Sequence, residues 1–406
     1  MKILILGLNY TPEKVGIAIY TSGMAENLAS MGHYVQVVTG HPYYPNWRIM
    51  GDQRAFAWKR RRSKGVSITH CPHYVPALPS GGARILHLVS FTLSCLAPML
   101  FHSLRMKPDW VIVIAPSLLS APAALLAAFI GRAKSWLHIQ DFEIEAAFAT
   151  GLMEEHGFIA RLALSFERRI LRAFHQVSTI SPQMCSKLIQ KGVAPERVRE
   201  FRNWSNIDVV YPLETASPYR TEWGIKAPHV ALYSGNIGNK QGIEIILDAA
   251  RLLQTRKDLI FVICGEGPNR ATLEAQAKGL PNVRFFDLQP KEHLCDLLNL
   301  ATIHLMPQIK GAADLVLPSK LTNMLASGRP VVATTPSDSG LAMEIADCGL
   351  VTEPGNPVAL AEAIAKLADS SFLHTYYAQN ARTRAKVRWD GRKILAAWEE
   401  DLRQKI

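Results

Sequence analysis

The six cysteines of this 406-residue sequence (Cys71, Cys95, Cys185, Cys264, Cys295, Cys348) stand far apart, with no Cys-x-x-Cys pair and no zinc-type spacing to histidine. That scatter excludes a disulfide framework and a structural zinc site, and reads as single buried thiols in a reducing compartment. Gly-x-Gly-x-x-Gly is also missing, which argues against the nicotinamide oxidoreductases. No nucleic-acid recognition module and no interleaving of aromatic with basic residues is found, so the net charge of +11 does not imply nucleic acid. It favours anionic partners in general: phosphates or an anionic lipid surface. The opening Met1-Lys2-Ile3-Leu4-Ile5-Leu6-Gly7 is too short for a secretory apolar region and precedes no small-residue cleavage site. A first buried strand in a chain that is not exported is therefore expected. With 48% hydrophobic and 19% charged residues, disorder is excluded as well.

What is present is alternation. Short apolar strands are predicted at Lys2–Leu6, Tyr34–Thr39, Trp110–Ala115, Ser135–Ile139 and Gln176–Ile180, with apolar helical stretches between them. The pattern breaks near Tyr211–Pro228, where Pro212, Pro218 and Pro228 bracket a polar linker. It restarts with strands at Val230–Ser234, Leu259–Cys264, Val283–Asp287, Ile303–Met306 and Pro330–Ala333, and helices at Ile243–Gln254 and Ala271–Lys278. Two α/β domains follow, each a doubly wound, Rossmann-like parallel sheet covered on both faces. The expected boundaries are 1–210, 211–385 and a final helical segment 386–406 that crosses back to the first domain. A ligand is expected in a cleft between the strand C-terminal ends.

One segment departs from alternation. Ile85–Leu104 is nearly unbroken apolar sequence flanked by Arg84, Arg105 and Lys107, near the length that spans a bilayer. His87, Ser90, Thr92, Ser94, Pro98, His102 and Ser103 dilute it, which leaves open a buried helix, a helix in the membrane surface, or a span. The basic run Lys59-Arg60-Arg61-Arg62 just upstream is either a solvated loop or strand end, or a contact to anionic headgroups.

Four loops carry chemistry. Gly16 ends the turn after the first strand, where a helix N-terminus offers free N–H groups. In the second half, Gly235-Asn236-Ile237-Gly238-Asn239-Lys240 follows the first strand, with Lys240 as a point charge for phosphate. Gly265-Glu266-Gly267-Pro268 ends the next strand, and its small residues would let a base or sugar pack against the backbone. Pro318 marks a helix start, and the N–H groups after it, with the Ser319 hydroxyl, would hold a diphosphate. Each could be an ordinary connection; three at one strand edge favour a phosphate-bearing ligand.

The set Gly-Asn-x-x-x-Lys-x-Gly, Gly-Glu-Gly-Pro and Pro-Ser-Lys-Leu-x-Asn-x-Leu-Ala-x-Gly-x-Pro-Val-Val resembles family 4 of the retaining GT-B glycosyltransferases. The opening Asn-Tyr-x-Pro-Glu-x-x-Gly-Ile, with His41-Pro42-Tyr43-Tyr44-Pro45, His138-Ile139-Gln140-Asp141 and Asn203-Trp204-Ser205, is similar to the colanic-acid and related exopolysaccharide transferases, a group that includes a fucosyltransferase. The similarity runs from Met1 to about residue 400. It implies a GT-B fold of two facing domains, and transfer of a sugar with retention, without an obligatory metal or other cofactor. The donor would be a nucleoside-diphosphate sugar, GDP-fucose and other GDP-sugars before UDP-sugars, bound to the second domain. The acceptor would be a lipid-linked saccharide on the first domain, and the enzyme would be cytoplasmic, held peripherally at the anionic inner-membrane surface. On that mapping Lys240, Ser319, Lys320 and Leu321 hold the diphosphate, Gly16 lets the first-domain loop close on it, His138 lies beside the donor sugar, and Asp141 orients His138 or the acceptor hydroxyl. The alternative for His138 is a strand-end histidine satisfied by backbone.

The sequence departs from the family at two points. Asn236 stands where many relatives carry Arg, and Asn323 where many carry the second acid of Glu-x7-Glu, with Leu315 at the first position. The Asn323 amide can still meet a ribose as donor and acceptor, and Asp314 is either a donor-sugar contact or a loop-end charge. The main alternatives are a nucleotide-sugar epimerase or phosphorylase on the same frame, and a silent binding module.

Overall fold

Every apolar run predicted as a strand forms one, and the central ones, such as Trp110–Ala115 and Leu259–Cys264, supply the unbroken buried side chains that a strand covered on both faces requires. The computed structural model describes residues 1–13, 16–50, 56–78, 80–149, 157–238, 241–309 and 319–406. They divide into two units, Met1–Arg202 with Leu395–Ile406, and Asn203–Ile394.

The sheet of unit 1 has strands β1 (Lys2–Gly7), β2 (Tyr34–Gly40), β3 (Lys59–Ser63), β4 (Val66–Cys71), β5 (Trp110–Ala115), β6 (Lys134–Ile139), β7 (Gln176–Thr179) and β8 (Val198–Glu200). Their order is β3-β4-β2-β1-β5-β6-β7-β8. All pairings are parallel except β3 with β4. The basic run is thus an antiparallel edge strand, and its charges blunt an otherwise exposed edge. Trp110 and Trp136 anchor the core, and the last helix closes it: Trp136 meets Trp398 edge-on at 5.9 Å and Phe201 stacks on Trp398 at 4.5 Å.

The apolar segment is one helix, Gly81–Met106, long and apolar enough to cross a membrane by length and composition. Its two faces differ. Phe91, Cys95, Pro98, Met99, Ser103 and Met106 are buried in unit 1, while Ile85, Leu86, Val89, Leu93, Phe101 and Leu104 form an exposed stripe at helical spacing. The helix is part of the unit 1 core on one side and open on the other.

Unit 2 has β9 (His229–Ser234), β10 (Leu259–Cys264), β11 (Val283–Phe286), β12 (Ile303–Pro307), β13 (Val331–Thr334) and β14 (Gly349–Thr352), all parallel, in the order β11-β10-β9-β12-β13-β14. The strand order reverses between β9 and β12, the position where open α/β sheets bind ligands.

Two expectations are corrected. The chain leaves unit 1 at Arg202, ahead of the proline-bracketed stretch, because Ser205 already pairs into unit 2: its N–H donates to the Trp389 carbonyl at 2.8 Å and its carbonyl accepts from Gly391 at 3.1 Å. The final helical segment is also two helices, Ser371–Arg388 and Gly391–Gln404. Asp390 breaks them, its carboxylate accepting the Arg392 N–H at 3.0 Å in the manner of an N-cap. The return to unit 1 falls inside the second helix, at Leu395.

Candidate functional site

In unit 2 the loops after β9 and β10 leave the sheet side by side, since Ser234 and Cys264 are register partners. They are bonded to each other: Gly235 N–H donates to Cys264 O at 2.9 Å, and Ile237 N–H to Glu266 O at 2.8 Å. A Cβ at Gly265 would sit 1.9 Å from the Gly235 carbonyl oxygen, and one at Gly267 would sit 2.2 Å from that of Ile237. Those two glycines therefore exist to let one loop lie on the other. The Cβ directions of both glycines run into the neighbouring loop, which sets the close approach of the two. Arg270 clamps the same turn, pairing with Glu266 at 2.6 Å, Glu274 at 2.8 Å and Asp287 at 2.7 Å.

Lys320 reaches this loop pair from the start of the helix Lys320–Ala326. Its Nζ donates to the Tyr233 hydroxyl at 2.9 Å and lies 4.4 Å above the Tyr233 ring centroid. A Cβ at Gly235 would lie 2.5 Å from the same nitrogen, so Gly235 makes room for the cation. Tyr233 in turn donates to the Asn236 carbonyl at 2.6 Å, which fixes its hydroxyl as an acceptor toward Lys320. Burial pushes the Lys320 ammonium down to about 8, and no carboxylate among the described residues pairs with it. A half-desolvated cation without a counter-ion gains from any anion that reaches it.

The remaining predicted unit 2 residues fall around Lys320. Ser319 is exposed, and its hydroxyl makes no cap bond. Leu321 is wholly buried in the core, which leaves only its backbone N–H for a ligand. Asn323 is half-buried, and its Oδ1 accepts the Ser205 hydroxyl at 2.7 Å. That oxygen keeps a second lone pair and the amide nitrogen can donate, so the side chain still offers a donor and an acceptor together. Asn236 is exposed at the loop tip. Lys240, Asp314 and Pro318 lie outside the described residues.

In unit 1 Gly16, at φ +60°, precedes the helix Ile17–Ser30 and is exposed, with open space where a Cβ would be. His138 ends β6 and is 2% exposed. Its Nε2 accepts from the Gln140 amide at 3.0 Å, so its Nδ1–H donates to the Ser178 hydroxyl at 2.9 Å, which also accepts from Trp136 Nε1 at 2.8 Å. Burial pushes the imidazole down to about 3, and the ring is neutral and fully engaged. His138 is thus a satisfied strand-end histidine, held by side chains rather than backbone. Asp141 is half-buried, and its charge raises the neighbouring Glu143.

Glu143 left no signal in the sequence reading. Its Oε1 accepts the backbone N–H groups of Ser117 and of Leu118, the latter at 2.7 Å. Burial pushes its carboxyl up to about 7 despite those two bonds. Glu13, likewise buried and raised by burial, accepts from the Tyr43 and Tyr44 N–H groups at 2.8 and 2.9 Å. Tyr233 was also missed as a partner; it stands 87 positions from Lys320, a spacing no linear pattern reveals. Among the described residues no group of His, Cys, Asp and Glu is arranged to hold a metal ion.

Comparison with known proteins matches residues 15–204 to the model of a glycosyl transferase 4-like domain and residues 228–370 to that of glycosyl transferases group 1. A relative from Escherichia coli (strain K12), WcaI, named as a glycosyl transferase of colanic acid biosynthesis, is 44% identical over 342 residues, 82% of this chain and 83% of that one. Among solved structures, sucrose-phosphate synthase from Thermosynechococcus elongatus superposes with a TM-score of 0.75 at 18% identity, covering 99% of this chain and 98% of that one. Anabaena Alr3699/HepE in complex with UDP gives 0.71 at 18% identity, covering 100% of both. At such identity the structural likeness is one of fold.

Proposed function

This chain belongs to the glycosyltransferases, with the GT-B fold, and from that premise we propose that it moves a sugar from a nucleoside diphosphate to a lipid-linked saccharide during assembly of a colanic-acid-like exopolysaccharide. The observation that carries the donor half is Lys320, a buried ammonium that pairs with no carboxylate among the described residues, beside the β9 loop. In the reaction the bond from the anomeric carbon to the diphosphate breaks, a bond to the acceptor oxygen forms on the same face, and the acceptor's hydroxyl proton passes to the departing diphosphate oxygen. Negative charge grows on the departing diphosphate, and a preplaced cation lowers the barrier by meeting it there. Lys320, with the Ser319 hydroxyl, the Leu321 N–H and Lys240, holds that group, and no metal is required. The Asn323 amide donates to the nucleoside.

The donor we favour is GDP-fucose, on the likeness to the colanic-acid transferases. The enzyme works at an anionic membrane surface through the exposed stripe Ile85, Leu86, Val89 and Leu93, flanked by the basic strand β3. A thermal-shift panel of GDP, UDP and their sugars tests the donor, since a ligand that binds only the folded state raises the midpoint. A larger shift with GDP is expected. A larger shift with UDP overturns the fucosyl assignment, and no shift with either overturns the nucleotide site.

A further inference from the structure

Beside the ends of β2 and β4, unit 1 carries an open cavity of about 930 Å³, within the range of about 300–1,000 Å³ usual for small-molecule sites. Its wall includes Trp47, Arg48, Phe56, Trp58, Tyr74 and Leu93. Much of the polar capacity of this wall is used within the wall itself. Trp58 Nε1 donates to the Ser94 carbonyl at 3.1 Å, the Tyr74 N–H donates to the Ser90 hydroxyl at 2.9 Å, and that hydroxyl donates to the His87 carbonyl at 2.8 Å. Such a surface offers a saccharide few hydrogen bonds and offers an aliphatic chain aromatic and methyl contact.

The mouth is apolar and wet: Phe56 is 92% exposed and Leu93 70%. Leu93 also belongs to the open stripe of the helix Gly81–Met106, so the cavity continues into a surface that water covers at a cost. Cations stand at the same place. Arg48 lines the cavity, the Arg84 guanidinium lies 5.5 Å over the Trp47 ring, and neither is in an ion pair among the described residues. An apolar cavity with a cationic rim complements an amphiphile with an anionic head. One cavity receives one chain, whereas a diacyl phospholipid would leave its second chain outside.

We propose that this cavity holds the head-proximal segment of an isoprenyl phosphate or diphosphate, the lipid of the acceptor, with Arg48 and Arg84 on its phosphate. The inference rests on the lipid-linked acceptor of the proposed function and assigns that lipid a site of its own, separate from general contact with a bilayer.

Farnesyl phosphate, which is water-soluble, tests the site on the full chain without any membrane, read by tryptophan fluorescence. A saturable change is expected, about ten-fold tighter than with farnesol, and inorganic phosphate and a malto-oligosaccharide are expected to produce none. Leu93→Asp, at an exposed position that leaves the core alone, and Ala77→Phe, which narrows the cavity and spares the stripe, should each weaken binding by about ten-fold or more. Arg48→Glu with Arg84→Glu should remove the preference for farnesyl phosphate over farnesol. Unchanged binding in Leu93→Asp and Ala77→Phe overturns the site, as does full competition by phosphate, and a response to the oligosaccharide alone reassigns the cavity to sugar. Nucleotide thermal shifts and pelleting with anionic vesicles, run on the same proteins, separate the two readings. If farnesyl phosphate fails while both persist, only the cavity assignment falls; if nucleotide fails while farnesyl phosphate binds, it is the transferase donor site that falls.

Discussion

The two sheets present opposite electrostatic situations at the ends of their strands. In unit 1, backbone N–H groups that could face a ligand are already answered by the protein's own carboxylates, Glu143 on Ser117 and Leu118, and Glu13 on Tyr43 and Tyr44. In unit 2 the corresponding edge holds a cation, Lys320, with no carboxylate beside it among the described residues. Those N–H groups of the first edge are already taken, while the cation of the second is open to an anion. The two parallel sheets thus differ in charge where their strands end, in the sense that the diphosphate site proposed on unit 2 requires.

The largest effect on this contrast is expected from Gly265→Ala. Its Cβ would lie 1.9 Å from the Gly235 oxygen, so the paired loops must separate. A loss of about 3 kcal/mol in chemical denaturation is expected, together with nucleotide binding; an unaltered midpoint would show that the loops are not locked. Lys320→Met comes next, weakening nucleoside-diphosphate affinity by about 30–100-fold in calorimetry while the free protein keeps or gains stability, because an unpaired buried charge is removed. The sign of the pH dependence follows from the same group. With its folded value near 8 and its ordinary value 10.5, the folded state holds fewer protons than the unfolded one between those values, so stability rises with pH there while diphosphate affinity falls as pH rises through about 8. Lys320→Met should flatten both trends, and a persistent affinity profile would move the site to another cation.

Smaller effects test unit 1. Ile85→Ser, Leu86→Ser and Val89→Ser together should reduce partition onto anionic vesicles by about ten-fold without altering nucleotide binding. Equal partition would place the membrane surface elsewhere. Glu143→Gln keeps an oxygen for the Ser117 and Leu118 N–H groups and removes the charge. The folded carboxyl titrates near 7 and its ordinary value is 4.5, so its stabilisation is present below 4.5 and lost as pH rises through 7. The wild-type protein should therefore lose a few degrees of midpoint relative to the variant between about pH 5 and about pH 8; parallel curves would mean that Glu143 is already ionised throughout.

The sheets were legible because a strand buried on both faces writes itself as consecutive apolar residues, as in Trp110–Ala115 and Leu259–Cys264. Edge strand β3 was not, since Lys59-Arg60-Arg61-Arg62 has the composition of a loop and becomes a strand only by pairing with Val66–Cys71. The helix break at Asp390 was hidden because the capping contact looks like one more polar residue in a helical pattern. In the candidate site, loop positions could be read from glycines, but the contact of one loop with the other could not: a Cβ at Gly265 would meet the Gly235 carbonyl of the neighbouring loop. His138 stood out because its motif is visible, while Ser178, which accepts from its Nδ1–H, lies 40 positions away on the next strand.

The return of Leu395–Ile406 to unit 1 has a bearing on biosynthesis. Trp136 and Phe201 wait for Trp398, and Trp110 for the Leu402 carbonyl that its indole reaches at 3.1 Å. These partners leave the ribosome after the whole of unit 2. The nascent first unit must therefore stay unfinished, with aromatic surface uncovered, while the whole second unit is made and can fold as a continuous segment. A truncated message would release a chain whose second half is intact and whose first half is sticky, a natural mark for proteolytic quality control.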